Sequence, residues 1–104
     1  MSPRLSACII TFNEADRLAE CLASLAFCDE IIVVDSGSTD ATVAIARQAG
    51  ARVFERPFEG FRSQKQFAVE QATHDWVLCL DADERVDETL RASILAEQAL
   101  GFEH

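Results

Sequence analysis

The sequence predicts an α/β fold in which parallel strands alternate with helices. Short apolar runs rich in strand-forming residues recur along the chain, and segments with apolar residues three and four positions apart separate them. No linker, internal repeat or low-complexity segment interrupts this order. Strands that alternate with helices pair in parallel, and the helices cover both faces of the sheet. A chain of 104 residues is long enough for one small domain, so we predict a single domain over residues 1–104.

The first half of the chain contains two predicted strands and one helix. Residues 5–11, LSACIIT, are apolar and rich in strand formers, and they predict the first strand. From Ala15 the apolar residues change to the spacing of an amphipathic helix. Those residues are Leu18, Cys21, Leu22 and Leu25. Four β-branched residues at 31–34 predict a second strand that is buried on both faces.

The next elements follow the same alternation. A helix is predicted over 41–48, with Gly50 as its C-terminal stop. A brief third strand over 52–55 follows, and the loop after it contains a proline and a glycine. A third helix is predicted over 62–72. Its inward-facing residues are Phe67 and Ala68.

The last strand and helix complete a Rossmann-like order. The five apolar residues at 76–80, WVLCL, predict a strand buried on both faces, because strands covered by helices lose the alternation of apolar and polar residues. Residues 87–100 predict a closing helix, whose apolar side suggests a surface for a further partner. That side consists of Leu90, Ile94 and Leu95.

Charge and cysteine content exclude several classes of protein. A formal charge of -9 argues against a nucleic-acid partner, because binding a polyanion requires clustered basic residues. The four cysteines have no zinc-site spacing, so we interpret them as small buried hydrophobes in a reducing compartment. They are Cys8, Cys21, Cys28 and Cys79. No run is long enough to span a membrane and residues 1–5 are not a secretory signal, so we expect a cytoplasmic protein.

Three polar clusters follow the first, second and fourth predicted strands. They are TFNE at 11–14, DSGSTD at 35–40 and DADE at 81–84. In parallel α/β sheets ligands bind outside the carboxyl ends of the strands, so the three clusters are expected to meet at one edge. Asp81 and Asp83 are a pair of oxygen ligands of the kind that Mg²⁺ or Mn²⁺ prefers. The alternative interpretation of DADE is a solvated acidic turn.

The other two clusters also have structural interpretations. Thr11, Asn13 and Glu14 could cap the first helix, and residues 36–40 could cap the second. Capping leaves Asp35 unexplained, because it directly follows a buried strand. An aspartate at that position can accept hydrogen bonds from a ribose or a base.

The segments IITFNE, EIIVVDSGSTDAT and DWVLCLDADE, in this order and spacing, resemble the nucleotide-sugar-binding half of family 2 glycosyltransferases with the GT-A fold. The chain looks most similar to bacterial members that build lipopolysaccharide core and related envelope glycans. The resemblance covers nearly the whole chain, from Arg4 to about residue 95. Gln66, where relatives commonly have Asn, and His74, where a Gly often precedes the strand, depart from the family pattern.

The resemblance implies a set of donor-nucleotide contacts, with Glu14 beside the nucleoside and Asp35 bonded to the base. Lys65 lies where relatives often place a basic residue, although it could equally be a solvated helix residue. Asp83 would hold a Mg²⁺ or Mn²⁺ ion that bridges the donor diphosphate, and Asp81 would lie near the ribose and the metal. The full implied set is Thr11, Asn13, Glu14, Asp35, Ser36, Lys65 and Asp81 for the nucleotide, and Asp81 and Asp83 for the metal.

The implied activity is inverting transfer of a sugar from a nucleotide donor, UDP-linked by preference, to an envelope glycan or lipid-linked acceptor, at the inner face of the cytoplasmic membrane. In this family the acceptor site and the general base follow the D-x-D pair at some distance. We therefore expect a chain ending at His104 to supply only the donor half, to lack the C-terminal half and to be inactive alone.

Two other functions are considered. A non-catalytic module would bind nucleotide and metal without transferring a sugar. A phosphohydrolase of the haloacid dehalogenase type also uses D-x-D, but on its first strand and followed by Thr or Val. Here the motif follows the fourth strand and runs into Arg85, which disfavours that class.

Overall fold

The computed structural model describes residues 3–101. They form a parallel four-stranded sheet and four helices. The predicted domain limits, residues 1 and 104, lie outside the described residues. The elements are β1 (Leu5–Thr11), α1 (Ala15–Ser24), β2 (Glu30–Asp35), α2 (Thr42–Gln48), β3 (Arg52–Glu55), α3 (Phe61–Gln71), β4 (Trp76–Asp81) and α4 (Glu88–Ala99). The strand order is β3-β2-β1-β4, and every neighbouring pair is parallel. The predicted α/β class is confirmed.

Two hydrophobic clusters hold helices against opposite faces of the sheet. On one face, Ile9 of β1 and Val33 of β2 pack with Leu18 of α1 and Ala46 of α2. On the other face, residues of β1 and β2 pack with Ala68 of α3. Successive side chains of a strand point to opposite faces, so a central strand covered on both sides must be apolar throughout. This explains the uninterrupted apolar runs of β1 and β2.

The fourth strand differs from its prediction. β4 was expected to be buried on both faces, but the Trp76 side chain is 41% exposed and Cys79 is also exposed. Among the described residues β4 pairs only with β1, so it is an edge strand. Leu80 is buried because it points towards the face that α1 covers. α3 packs mainly on β1 and β2, and Cys79 of β4 stays exposed.

The prediction that all four cysteines are buried hydrophobes is therefore wrong for Cys79. It holds for Cys8 and Cys21, which are buried, whereas Cys28 is half-buried. Burial raises the pKa of the Cys8 thiol to about 12 and that of Cys21 to about 11. These thiols are protonated and unreactive at neutral pH.

The last helix is only partly covered by the described residues. None of its side chains is fully buried, and Leu90 is exposed. Ile94 packs against the cluster on the α1 face, as its predicted position on the apolar side requires. No helix in residues 3–101 is long and apolar enough to cross a membrane.

The end of the sheet at the start of β2 is held by one half-buried carboxylate. Glu30 accepts hydrogen bonds from the Ser6 hydroxyl at 2.8 Å, from the Thr73 N–H at 2.8 Å and from Arg52 Nη1 at 2.9 Å. Burial on its own would raise the pKa of Glu30, but these bonds outweigh it and lower the pKa to about 2. The contacts join three strands and the turn before β4 at the end of the sheet opposite the polar clusters.

Candidate functional site

A cleft of roughly 810 Å³ opens at the carboxyl ends of β1, β2 and β4, beside the start of α3. This volume lies within the range that ordinary small-molecule sites occupy. Six predicted site residues line it: Thr11, Glu14, Ser36, Lys65, Asp81 and Asp83. The remaining wall is apolar and consists of Ile10, Phe12, Phe58, Phe61 and Ala82. The predicted meeting of three polar segments at one sheet edge is therefore present, but Asn13 and Asp35 do not line the cleft.

Asp35 is completely buried beneath the loop that follows β2. Its Oδ1 accepts hydrogen bonds from Thr11 Oγ1 at 2.7 Å and Ser38 Oγ at 2.6 Å. Its Oδ2 accepts from the N–H groups of Gly37 at 3.0 Å and Ser38 at 2.7 Å. Gly37 has φ near +100°, a conformation that glycine adopts without strain and that turns the loop back on the carboxylate.

These bonds decide what Asp35 can do. Burial would raise its pKa, but the donors from Ser38, Thr11 and Gly37 outweigh burial, so the pKa lies below its usual value. The charged carboxylate is thus satisfied by the chain itself, with neither oxygen exposed to the cleft. The geometry gives Asp35 the role of fixing the loop. The direct contact with a base that the resemblance implies stays a prediction.

Asn13 joins the loop after β1 to the loop after β2. Its N–H donates to Ser38 Oγ at 2.8 Å, and its side-chain Oδ1 accepts from the Thr39 N–H at 2.8 Å. Asn13 has φ near +52°, in the left-handed region that Asn tolerates better than most residues. Like Asp35, Asn13 shapes the cleft from outside its lining.

The helix-capping interpretation of the first cluster is only partly right. Glu14 occupies the N-cap position of α1, but no side chain at that position accepts a cap hydrogen bond. Instead, Asp40 accepts from the Ala15 N–H at 3.2 Å and from the Thr42 N–H at 3.0 Å. One carboxylate therefore serves the starts of both α1 and α2, where the helix dipoles favour negative charge.

Glu14 lines the cleft with its charge already paired. Its Oε2 lies 3.0 Å from Arg17 Nη2, and its N–H donates to Thr42 Oγ1 at 2.9 Å. The Glu14 side chain is 22% exposed, so a ligand can reach it from the cleft side.

The D-x-D pair lies on a turn that closes without using its carboxylates. The Glu84 N–H donates to the Asp81 carbonyl oxygen at 2.9 Å, and Glu84 Oε1 accepts from the Asp81 N–H at 2.8 Å. Ala82 between the two aspartates is buried and anchors the turn in the core. Asp81 and Asp83 are both exposed and both line the cleft.

Lys65 faces this pair from α3. Its Nζ lies 3.9 Å from Asp81 Oδ1, and the two side chains are 50% and 57% exposed. An ion pair this long and this exposed is weak, so a ligand can replace it at little cost.

Asp81 and Asp83 suit a divalent cation that takes some of its ligands from a phosphate. No cluster of three or more His, Cys, Asp or Glu side chains that could hold a metal occurs in residues 3–101. Two carboxylates are too few for a closed protein site, but they are what Mg²⁺ uses when phosphates and waters supply its other ligands. The residues therefore suit a metal that arrives with a phosphorylated ligand.

The aromatic side chains at the cleft were not predicted from the sequence. Phe12 is 56% exposed and Phe61 is 69% exposed, although large apolar side chains usually gain from burial. The Phe58 and Phe61 rings meet edge to face, with centroids 5.0 Å apart. The available signal was their place in the chain, because each lies in a predicted polar loop or beside a predicted glycine turn.

Comparison with known proteins gives the family. Residues 6–99 match the model described as "Glycosyl transferase family 2". The chain belongs to this family. Over 92 residues it is 48% identical to the lipopolysaccharide core biosynthesis glycosyltransferase LpsC of Rhizobium meliloti, covering 84% of this chain and 34% of LpsC. It is 49% identical over 92 residues to an uncharacterized glycosyltransferase of Rickettsia felis, covering 88% and 32% of the two chains.

The solved structures confirm the GT-A type of fold. Glucosyl-3-phosphoglycerate synthase from Mycobacterium tuberculosis, in complex with Mn²⁺, UDP and glucosyl-3-phosphoglycerate, superposes with a TM-score of 0.62. The sequences are 28% identical, and the match covers 80% of this chain and 36% of that one. This chain therefore spans about a third of the length of the relatives that it matches. The family and the fold predicted from the motifs are both confirmed.

Proposed function

We propose that the cleft binds the nucleoside diphosphate part of a sugar donor, with UDP as the nucleotide, and that the protein transfers the sugar to a glycan or lipid-linked acceptor of the cell envelope. The observation that carries the proposal is the convergence of two exposed carboxylates, a lysine and an apolar aromatic wall in one cleft. Support comes from the family, from the printed name of LpsC and from the UDP and Mn²⁺ in the related synthase.

The nucleoside belongs at the β1 and β2 side of the cleft. Phe12 offers an exposed ring on which a base can stack, and Thr11, Glu14 and Ser36 supply polar groups beside it. Asp35 acts through the loop that it holds, because its oxygens are bonded to Thr11, Gly37 and Ser38.

The diphosphate belongs at the β4 side. Lys65 donates to phosphate oxygens, and Asp81 and Asp83 hold Mg²⁺ or Mn²⁺ together with them. When bound, the metal supplies Lewis-acid stabilisation of the leaving diphosphate. A cation at the site is also favoured on electrostatic grounds, because the chain carries a formal charge of -9 and the proposed ligand is an anion.

The acceptor reaction is proposed by resemblance to the family as inverting transfer at the inner face of the cytoplasmic membrane. An inverting displacement needs a general base within reach of the acceptor hydroxyl. Asp87, the next aspartate after the pair, caps α4 by accepting from the Leu90 N–H at 2.7 Å, and we do not assign it that role. The non-catalytic alternative, binding without transfer, predicts the same UDP titration, so that titration tests binding by the chain and not sugar transfer.

Calorimetric titration with UDP tests the binding step. We expect binding that requires Mn²⁺ and is abolished by a chelator or by Asp83→Ala. Asp75→Ala is the matched control, because Asp75 is an exposed aspartate just before β4 and Asp83 lies just after it. UDP binding that is indifferent to Mn²⁺ and to Asp83→Ala would contradict the metal assignment, and no binding by the folded unaltered chain would contradict the proposed function.

A further inference from the structure

The Ser36 hydroxyl at the cleft is held by a buried amide. Gln64 of α3 is completely buried, and its Nε2 donates to Ser36 Oγ at 3.0 Å. Its Oε1 accepts from Arg56 Nη1 at 2.8 Å. A guanidinium group has donors and no acceptor, so the amide oxygen must face Arg56 and the amide nitrogen must face Ser36. The orientation of the amide is therefore fixed by its partners.

Arg56 is itself fixed by surrounding contacts. Its backbone N–H donates to the Asp35 carbonyl oxygen at 2.8 Å, and its Nη2 donates to Ser63 Oγ at 3.1 Å. The guanidinium carbon lies 5.0 Å from the centroid of the Phe67 ring, a cation–π contact. Gln64 Nε2 also lies 3.3 Å from the Arg56 carbonyl oxygen. These contacts hold Gln64 and Arg56 in one arrangement.

This network sets the polarity of Ser36. Its oxygen accepts from Gln64, and within residues 3–101 its hydroxyl donates to no protein acceptor. Ser36 lines the cleft. The free hydroxyl hydrogen is therefore available to a ligand there, whereas one of the oxygen lone pairs is already used.

We infer that Ser36 donates a hydrogen bond to the bound ligand. Gln64 and Arg56 are positioning residues that keep the Ser36 hydroxyl hydrogen available for this bond. The ligand atom that it meets is an acceptor: a carbonyl oxygen or ring nitrogen of the base, or a ribose oxygen. Naming the ligand as a nucleotide rests on the proposed function. The donor polarity rests on the hydrogen bonds alone.

Gln64→Glu tests the polarity with almost no change in side-chain size. One carboxylate oxygen still accepts from Arg56, but the other now accepts from the Ser36 hydroxyl and turns its hydrogen away from the cleft. With UDP and Mn²⁺, we expect Ser36→Ala to weaken binding about 3- to 10-fold, the value of one ordinary hydrogen bond, and Gln64→Glu to weaken it at least as much. Gln66→Glu adds the same charge at an exposed position of α3 and is expected to leave the affinity unchanged.

The double variant separates positioning from a general structural effect. In the Ser36→Ala background Gln64→Glu is expected to cause a smaller loss than it causes alone, because the group that it reverses is absent and only the change beside the Arg56 carbonyl oxygen remains. If circular dichroism shows the Gln64→Glu chain to be unfolded, Gln64→Met replaces it. Gln64→Met removes the donor to Ser36, and it is expected to weaken binding no more than Ser36→Ala and to have no effect in that background.

Three results would overturn the inference and leave the proposed function standing: undiminished UDP binding by Ser36→Ala, undiminished binding by a folded Gln64→Glu chain, or additive losses in the double variant. Absence of UDP binding by the folded unaltered full chain would instead reject the proposed function, and with it the assignment of a nucleotide to Ser36.

Discussion

The paired loops after β1 and β2 and the turn after β4 use aspartate in opposite ways. In the loops, Asp35 and Asp40 accept hydrogen bonds from the chain and hold the loops and helix starts in place. In the turn, Asp81 and Asp83 are exposed at the cleft, and the turn is closed by Glu84 instead. The aspartates of the loops thus hold the structure of the site, whereas those of the turn are exposed to a ligand in the cleft.

The hydrogen-bond donors near each segment explain the difference. β1 and β2 are neighbours, so their two loops face each other and the hydroxyl and N–H groups of one reach the carboxylates of the other. β4 is also a neighbour of β1, but within the described residues 3–101 no hydrogen bond joins its turn to the loop after β1. The supply of nearby donors, more than the position after a strand, decides whether a carboxylate stays available to a ligand.

The largest expected loss of stability comes from substituting Asp35. Asp35→Ala would leave the hydroxyl and N–H donors of Thr11, Gly37 and Ser38 without their buried partner, so we expect the free energy of unfolding to fall by about 3–5 kcal/mol. Asp83→Ala removes an exposed carboxylate and is expected to change it by no more than about 0.5 kcal/mol. Urea denaturation followed by circular dichroism compares the two, and equal midpoints for both variants would contradict this difference between the loops and the turn.

The stability of the fold is expected to depend on pH through Glu30, which accepts several hydrogen bonds at the end of the sheet opposite the cleft. Its pKa in the folded chain is about 2, against an ordinary value of 4.5. A lowered pKa means that the stabilisation is complete above pH 4.5 and is lost as the pH falls from 4.5 towards 2. Glu30→Gln should therefore be less stable than the unaltered chain at pH 7 and should lose less stability across that acid range. Parallel acid-titration curves for the two chains would show that Glu30 does not contribute in this way.

The smallest effect is expected from Asp40. Asp40→Ala removes the acceptor that serves the first N–H groups of α1 and α2, but the site is exposed and water can replace part of it. We expect a fall in the thermal midpoint well below that caused by Asp35→Ala. Asp16→Ala is the comparison, because Asp16 is an exposed aspartate in the first turn of α1 and, within the described residues 3–101, no hydrogen bond joins it to α2. A midpoint for Asp40→Ala equal to that for Asp16→Ala would mean that bridging the two helices adds nothing.

Sequence patterns determined much of this fold because each element has its own apolar period. The ends of the predicted elements differ from the observed ends by no more than one residue where both ends were predicted. The exposure of β4 escaped prediction because an apolar run does not reveal whether a strand lies at the centre or the edge of a sheet. That information is in the strand order, which depends on contacts between distant segments.

The site was predictable at the level of its segments, but not of its individual side chains. The segments that line the cleft follow from strand ends in a parallel sheet, whereas the direction of each side chain does not. Asp35 lies opposite Thr11 in the β1–β2 register, and this pairing makes its carboxylate an internal group. Gln64 had a usable signal, because it lies one helical turn before Phe67 and Ala68 on the predicted inner side of α3. A polar amide on a buried helix face indicates a specific partner, and here the partner is Ser36.

The most direct measurement is a titration of Mn²⁺ into the isotope-labelled chain in the presence of UDP, with the paramagnetic broadening of each backbone N–H signal recorded by NMR. We expect the signals of residues 81–84 to broaden first, those of Lys65 and its neighbours to follow, and both effects to disappear in Asp83→Ala. Broadening centred on Asp35 and Asp40, or spread evenly over the acidic surface and unchanged in Asp83→Ala, would contradict the proposed metal site.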